Sequence, residues 1–181
     1  ELYVPADTAL HCYERLFEAG SGHGLRHAGF HAMAACRIEK GYRHWGHDIS
    51  PDENPIEAGL AFCVAWDKPG GFIGREALLA AKSAPVTQRL AQFALLDDQR
   101  LVYHNEPIWR DGVLVGRITS GMFGHTVGAA IGMGYVSNGG APADRDWVLG
   151  GSYEIEIAGE RVPARVSMAP FYDPKSERTR A

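Results

Sequence analysis

The chain has 181 residues, of which 45% are hydrophobic and 22% are charged, and its formal net charge is -4. A chain of this length can bury one substantial core or two small ones. The mild acidity, without any run of Lys or Arg, argues against nucleic acid or a membrane surface as a partner. No apolar stretch is long enough for a transmembrane helix, and nothing at the start resembles a signal peptide. We therefore expect a soluble, cytoplasmic protein.

Three cysteines, Cys12, Cys36 and Cys63, are isolated from one another in the sequence. Their odd number and apolar surroundings predict buried thiols in a reducing compartment. The Cys and His spacings do not match a zinc site, so we nominate no metal ligand.

The first residues, Glu1 to Val4, alternate in the manner of a strand. A strand would be an unusual place for a domain to begin, and the chain has no initiator Met. We therefore expect a fragment or a processed piece of a larger protein.

Helical spacing marks three places in the first half of the chain. Apolar residues recur at helical intervals from Ala6 to Phe17, with Asp7 near the start and Gly20 behind the end. A second helix is predicted over 27–39 and a short third helix over 74–81. Such helices pack well against a sheet.

An alternating apolar stretch, 61–66, predicts a strand, and a turn over 68–71 follows it. Residues 82–85 have the sequence KSAP and resemble a linker. The predicted domains are therefore 1–82 and 83–181.

Beyond this linker the helical spacing disappears and short alternating runs follow one another. Asp111-Gly112 is a strong hairpin signal between two of these runs. The predicted strands cover 90–96, 106–110, 113–115, 127–136, 153–157 and 162–166. Short strands joined by turns predict a small barrel or a sandwich.

The glycine-rich run 128–134 (GAAIGMG) resembles a dinucleotide fingerprint only superficially, because it lies among strand signals and no helix is predicted behind it. We interpret its glycines as positions of close backbone packing. Ser120 lacks a G-x-S-x-G elbow, and none of the histidines falls in a recognisable triad or metal motif. A hydrolase therefore has little support.

The segment 36–60, CRIEKGYRHWGHDISPDENPIEAGL, concentrates the polar chemistry of the chain. Arg37 closes an apolar-spaced run, and Trp45 follows in a loop. A planar guanidinium and an aromatic ring could hold a flat, hydrogen-bonding ligand such as a heteroaromatic ring that carries carboxylates. The alternative is structural: Arg37 caps carbonyls and pairs with Glu39 or Asp48, while Trp45 fills the core.

The same segment carries three further acids, Asp48, Asp52 and Glu53, in a loop bounded by prolines. Proline prevents a helix from continuing, so this loop is expected to be irregular. We expect the three carboxylates to be solvated and nominate none of them as a catalyst.

Several motifs follow one another along the chain: RIEKGYRHWGHDI, PIEAGL and FIGREAL, with ELYVPADTALHCYERLFEAG before them and GRITSGMFGHTVGAAIGMGYV after them. In this order they are similar to motifs of the glycine cleavage T-protein (aminomethyltransferase) superfamily. The EKGYR-W-x-DI form most resembles the folate-binding half of the dimethylglycine and sarcosine dehydrogenases. The resemblance implies an α+β fold: the C-terminal part of an aminomethyltransferase-like folate-binding domain, followed by a small antiparallel β-barrel domain.

The resemblance also implies residues that bind tetrahydrofolate. Glu1 matches a glutamate that hydrogen-bonds the pterin ring, and Arg37 matches the arginine of the R-x-E-x-G motif. Trp45 takes the place of an aromatic beside the ligand, and Glu57 matches the acid of P-x-E-x-x-L, a position at least half structural. Glu39 is expected in a network at the helix end. The catalytic aspartate of the family lies upstream of Glu1, so no catalytic residue is nominated.

The implied activity is one-carbon transfer, in which an adduct made by oxidation of an N-methyl glycine-type amine is captured by tetrahydrofolate. Flavin chemistry would belong to an N-terminal FAD domain of the same parent chain, and the piece alone would be inactive. Two alternatives stay open. One is a fragment of a stand-alone aminomethyltransferase of the glycine cleavage system, and the other is a non-catalytic scaffold that has lost folate binding.

Overall fold

The computed structural model describes residues 1–97 and 100–180. The chain forms two compact units, Glu1–Ala32 and Met33–Ala181. Among the described residues, the helices are too short or too polar to cross a membrane.

The first unit is built on helix α1, Ala9–Gly20, which begins later than predicted. Tyr13 and Phe17, one turn apart on α1, both contact His27. The Tyr13 hydroxyl lies 2.8 Å from His27 Nε2, and the ring centroids of Phe17 and His27 are 4.3 Å apart. The strand predicted over 1–4 is wrong, because these residues join no ladder of hydrogen bonds.

Two further helices lie where the periodicity predicts them. Helix α2 spans Phe30–Glu39 and helix α3 spans Arg75–Ser83. Gly41 follows α2 with a φ of 66°, and its N–H donates to the Ile38 carbonyl at 2.9 Å. Glycine adopts this left-handed conformation without a steric cost, which explains why α2 ends here.

The strand predicted over 61–66 is wrong. Ala61–Cys63 forms a single 3-10 turn, and the N–H groups of Cys63 and Val64 each donate to the carbonyl three residues earlier. These local bonds satisfy the backbone groups that a β-ladder would use.

The second half of the chain forms a closed barrel of six antiparallel strands. The strands are β1 Gln88–Leu95, β2 Pro107–Arg110, β3 Val113–Gly124, β4 Ala129–Ser137, β5 Tyr153–Ile157 and β6 Glu160–Ser167. Their order around the barrel is β1-β4-β3-β2-β5-β6, with β6 closing on β1. This architecture confirms the predicted small antiparallel barrel and excludes the sandwich.

The hairpin predicted at Asp111-Gly112 is confirmed. These two residues connect β2 to β3 with φ values of 50° and 81°, as a two-residue turn of this kind requires. Strand β3 continues to Gly124, well beyond the predicted end at Val115. Pairing between β3 and β4 is irregular at Ile118 and Ser120, so the strand has no uniform alternation for the sequence to show.

A short helix, α4, was not predicted. It spans Arg145–Gly150 between β4 and β5, and the Asp144 carboxylate caps it by accepting the Trp147 N–H at 2.8 Å. At six residues it is too short for a clear helical period.

Hydrophobic residues fill the barrel and also cover part of its outside. Phe93, Ile118 and Ile155 belong to the interior core and are fully buried. A second cluster lies on the opposite face of β1 and β4: Ile38, Leu90, Ala94, Ile131 and Met133. Successive residues of a strand face opposite sides, so α2 packs through Ile38 on the outer face of the barrel.

Two glycines of the glycine-rich run, Gly132 and Gly134, lie in β4 close to neighbouring groups. A Cβ on Gly132 would lie 3.2 Å from Ile118 Cδ1 and from the Ser120 carbonyl oxygen, and one on Gly134 would lie 2.7 Å from Ile108 Cδ1. The interpretation as positions of close packing is confirmed for Gly132 and Gly134 but is wrong for Gly128, where an added Cβ would meet nothing within 4 Å.

The prediction of buried thiols is wrong for Cys36 and Cys63, which are exposed, while Cys12 is half-buried. Cys36 precedes Ile38 by two positions on α2, and such positions point to nearly opposite sides of a helix. Because Ile38 faces the barrel, Cys36 faces away from it.

Candidate functional site

Polar contacts in the second unit converge on one fully buried carboxylate, that of Asp48. Its Oδ2 lies 2.5 Å from Arg37 Nη1 and accepts the His44 N–H at 2.9 Å. Its Oδ1 accepts the Thr119 hydroxyl at 2.5 Å. The Asp48 backbone carbonyl accepts the Tyr135 hydroxyl at 2.9 Å. The loop is thereby fixed to α2, β3 and β4.

The expectation that three acids of this loop are solvated is therefore wrong for Asp48. Asp52 is exposed as expected. Glu53 is half-buried and accepts the N–H and the hydroxyl of Ser50 at 2.8 and 2.6 Å. Asp48 is buried because donors from three separate elements meet it, and two of those elements are distant in sequence.

Arg37 is held at both ends of its guanidinium. Besides Asp48, Nη1 donates to the Tyr42 carbonyl at 3.4 Å, and Nη2 donates to Ser120 Oγ at 2.8 Å. A guanidinium has one N–H on Nε and a pair on each of Nη1 and Nη2. The Nε–H and one N–H of Nη2 are therefore not used by the residues that the structure describes. The structural role proposed for Arg37 is present, and two donors are left for a ligand.

Trp45 lies in the loop between Arg37 and Asp48 with 66% of its surface exposed. The Gly46 N–H donates to the Ile49 carbonyl at 2.8 Å and closes the turn beneath it. The alternative in which Trp45 fills the core is therefore wrong, and its ring is accessible.

The other two predicted ligand residues lie in different environments. Glu57 accepts Gln88 Nε2 at 3.3 Å, and its carbonyl accepts the Leu90 N–H at 2.9 Å, so it connects the loop to β1. Glu1 belongs to the first unit, where it is exposed and accepts the Tyr3 hydroxyl at 2.5 Å.

The remaining charged residues of the RIEKG motif, Glu39 and Lys40, bind residues that lie much later in the chain. Glu39 is buried, and its Oε1 accepts the N–H groups of Thr126 and Val127 at 2.6 and 3.1 Å, in the turn after β3. Lys40 pairs with Asp173 at 3.1 Å and donates to Ser176 Oγ at 3.2 Å. Glu39 is thus a network residue, as the sequence indicated.

A cleft of about 730 Å³ lies beside the partners of Asp48. Thr119 and Tyr135 line it, together with His47, His104 and Arg117. Its volume falls within the range of small-molecule sites. The sequence did not indicate these residues, because they come from widely separated stretches of the chain; the polar pair Thr119-Ser120 inside a strand was the available signal.

Burial raises the pKa of Tyr135, and the charges of Glu53 and Asp48 raise it further, against the opposing effect of Arg43. The hydroxyl therefore stays protonated at neutral pH. It can act as a donor to the Asp48 carbonyl throughout the physiological range.

Comparison with protein families identifies the class. The glycine cleavage T-protein C-terminal barrel domain matches residues 88–173, and the GCVT N-terminal domain matches residues 1–68. The chain belongs to the glycine cleavage T-protein family.

Relatives of this chain are considerably longer proteins. The chain is 44% identical over 180 residues to a 4-methylaminobutanoate oxidase (formaldehyde-forming) of Paenarthrobacter nicotinovorans, covering 99% of this chain and 21% of that protein. It is 36% identical over 181 residues to the mitochondrial sarcosine dehydrogenase of Homo sapiens, covering 99% of this chain and 20% of that protein. The chain thus spans about a fifth of the length of these relatives.

A solved structure shares the fold. The glycine cleavage system aminomethyltransferase T from Bartonella henselae superposes with a TM-score of 0.77 and 24% identity, covering 94% of this chain and 45% of that chain. This likeness confirms the fold expected from the sequence, including the terminal barrel.

Proposed function

We propose that the chain is the tetrahydrofolate-binding, one-carbon (aminomethyl or methylene) transfer part of an FAD-dependent enzyme resembling dimethylglycine and sarcosine dehydrogenases. Family membership gives an aminomethyltransferase-like domain, and the proposal adds the ligand and the reaction. The observation that carries it is that one buried carboxylate, Asp48, fixes both Arg37 and the loop that exposes Trp45.

These residues fit a flat ligand that carries polar edges and carboxylates. Arg37 has two donors left on neighbouring nitrogens, which suits a group with two acceptor atoms. Trp45 offers an exposed ring face for stacking. The cleft beside Thr119 and Tyr135 has room for a small molecule, although Arg37 and Trp45 are not among the residues that line it.

Each proposed ligand residue then has a physical role. Arg37 would bind and orient an anionic or carbonyl edge, and Trp45 would cover a ring face and exclude water from it. Glu1 would accept N–H donors of an amino-pyrimidinone edge, since a carboxylate accepts two such bonds. Glu57 would hold the loop against β1. When bound, tetrahydrofolate would supply two nucleophilic nitrogens that accept a one-carbon unit.

Two further expectations belong to the proposal. We place the domain boundary between residues 82 and 83, in the interval between the family matches that end at 68 and begin at 88. We propose a cytoplasmic location, although the human relative is named as mitochondrial. Limited proteolysis would test the boundary, and cell fractionation would test the location.

The test is titration calorimetry of 5-formyltetrahydrofolate into the intact protein. We expect saturable binding that weakens by about 1–3 kcal/mol in Arg37→Ala, because a charged donor is lost. Arg145→Ala is the matched control, since Arg145 is exposed on α4 and should leave the affinity unchanged.

The outcomes separate the alternatives. A wild-type protein that does not bind would contradict the proposal and favour the scaffold. Binding by a protein that contains no flavin would favour a stand-alone aminomethyltransferase. With an N-methyl glycine as substrate, we expect less free formaldehyde when tetrahydrofolate is present, and an unchanged yield would exclude capture of the one-carbon unit.

A further inference from the structure

We propose that Asp48 is a positioning residue for ligand binding, which acts through Arg37 and not by touching the ligand. This inference rests on the proposed function, because the ligand it serves is the folate-like molecule proposed above. Asp48 would hold the guanidinium against the barrel, so that only two of its donors are presented to a ligand.

The buried Asp48 carboxylate restricts where Arg37 can lie, because burying a carboxylate is costly. Asp48 is fully buried, and an unpaired buried charge is strongly destabilising. Its carboxylate is satisfied by Arg37, the His44 N–H and the Thr119 hydroxyl together. Arg37 is therefore confined to the position in which it completes this set.

The orientation of the Arg37 guanidinium is fixed by contacts on two of its nitrogens. Asp48 and the Tyr42 carbonyl engage Nη1, while Ser120 engages Nη2 from β3. Three contacts around a planar group leave it little freedom to rotate. The Nε–H and the remaining N–H of Nη2, on nitrogens bonded to the same carbon, are the donors that the described part of the chain leaves available.

Asp48 is also bonded to residues that line the cleft. Thr119 and Tyr135 line the cleft and also hydrogen-bond Asp48, through its carboxylate and its carbonyl respectively. Asp48 thus connects the wall of the cleft to Arg37. Arg37 is not among the residues that line the cleft, so Asp48 is the link through which the cleft wall and the guanidinium are held together.

A double-mutant cycle on the intact protein tests this role, with Asp48→Asn, Arg37→Ala and the double variant. The measurement is the dissociation constant of 5-formyltetrahydrofolate by calorimetry, with a thermal melt for each variant. In the wild-type background we expect Asp48→Asn to weaken binding about tenfold, the size of a lost charge-assisted contact. In the Arg37→Ala background it should cause no further loss, because Asp48 acts through Arg37.

The matched control is Asp52→Asn, an exposed acid of the same loop, which should leave the dissociation constant unchanged. Equal weakening by Asp48→Asn in both backgrounds would overturn the inference, since it would indicate general damage to the site. Unchanged affinity in the wild-type background would overturn it as well.

If Asp48→Asn does not fold, Asp48→Glu replaces it in the same cycle. This variant keeps the charge but moves the carboxylate that holds Arg37 Nη1, so a smaller loss that depends on Arg37 is expected. A loss that does not depend on Arg37 would overturn the inference. Failure of the wild-type protein to bind appears before any variant is compared, and it contradicts the proposed function itself.

Discussion

The barrel and the loop of residues 41–60 are held in place by different forces. The barrel encloses apolar side chains such as Phe93 and Ile118, whose burial stabilises it without directional contacts. The loop depends on directed bonds, including those of Asp48 and the donation from Arg43 Nε to the Ala58 carbonyl at 3.0 Å. Substitutions in the apolar core of the barrel should therefore change stability alone, whereas substitutions in the loop should also change the site.

The largest effect should follow truncation of the barrel core. Phe93→Ala removes a fully buried ring that packs on Tyr153 with centroids 5.4 Å apart. We expect a loss of about 3–5 kcal/mol in the free energy of unfolding, measured by urea denaturation. Leu114→Ala, at a position 56% exposed in β3, should change it by less than about 0.5 kcal/mol. Similar losses in the two variants would contradict the description of the core.

The next effect should come from the loop. Asp48→Asn leaves the Arg37 guanidinium, only 19% exposed, without its carboxylate partner. We expect a loss of about 3 kcal/mol in the free energy of unfolding, the lower end for breaking a buried pair. Asp52→Asn should change it by less than about 0.5 kcal/mol. A loss below 1 kcal/mol in Asp48→Asn would show that the loop does not depend on this pair.

A smaller effect is expected where the loop meets the barrel. Tyr135→Phe removes one hydrogen bond to the Asp48 carbonyl and should cost about 1 kcal/mol at pH 7. Because burial raises the pKa of Tyr135 above that of an unfolded tyrosine, the unfolded state loses its proton first as the pH rises. The wild-type protein should therefore lose stability above about pH 10, the ordinary pKa of tyrosine.

The phenylalanine variant lacks this ionisation, so its deficit relative to the wild type should shrink as the pH rises from 9 to 11. Urea denaturation at each pH measures the difference. A constant deficit across this range would show that Tyr135 ionises equally in both states.

The smallest effect on stability is expected at Trp45. Since its ring is largely exposed, Trp45→Ala should change the free energy of unfolding by less than about 0.5 kcal/mol. Binding of 5-formyltetrahydrofolate should weaken by about 1 kcal/mol through the lost stacking. Phe62→Ala, at an aromatic 82% exposed elsewhere in the chain, should change neither quantity. A change in the free energy of unfolding without a change in binding would show that Trp45 supports the loop and does not contact the ligand.

Local patterns were enough for much of the fold. Periodicity predicted α1, α2 and α3, and the Asp111-Gly112 pair predicted its hairpin, because these signals depend on neighbouring residues. The prediction of a strand over 61–66 was wrong because the backbone N–H groups of this segment donate to nearby carbonyls in turns and not to a neighbouring strand. Strand β3 was underestimated because its glycines and the Thr119-Ser120 pair hide the alternation.

The candidate site was predictable only in part. Arg37 and Trp45 were nominated from a resemblance, and the structure places Arg37 in the last turn of α2 and Trp45 in the loop behind it. The burial of Asp48 was not predictable, because its partners Thr119 and Tyr135 lie far away in the chain. A carboxylate in a proline-bounded loop looks solvated until the barrel that supplies those donors is known.

The connection of Arg37 to Ser120 also has a consequence for how the protein folds. These residues are 83 positions apart, whereas Arg37 and Asp48 are 11 apart. Closing a long loop costs more entropy than closing a short one, and β3 must be paired before Ser120 is in place. The ion pair can therefore form early, but the guanidinium reaches its final orientation only after the barrel has closed. Slow steps in barrel assembly would then delay the final arrangement of Arg37, and with it the proposed ligand binding, until after most secondary structure is present.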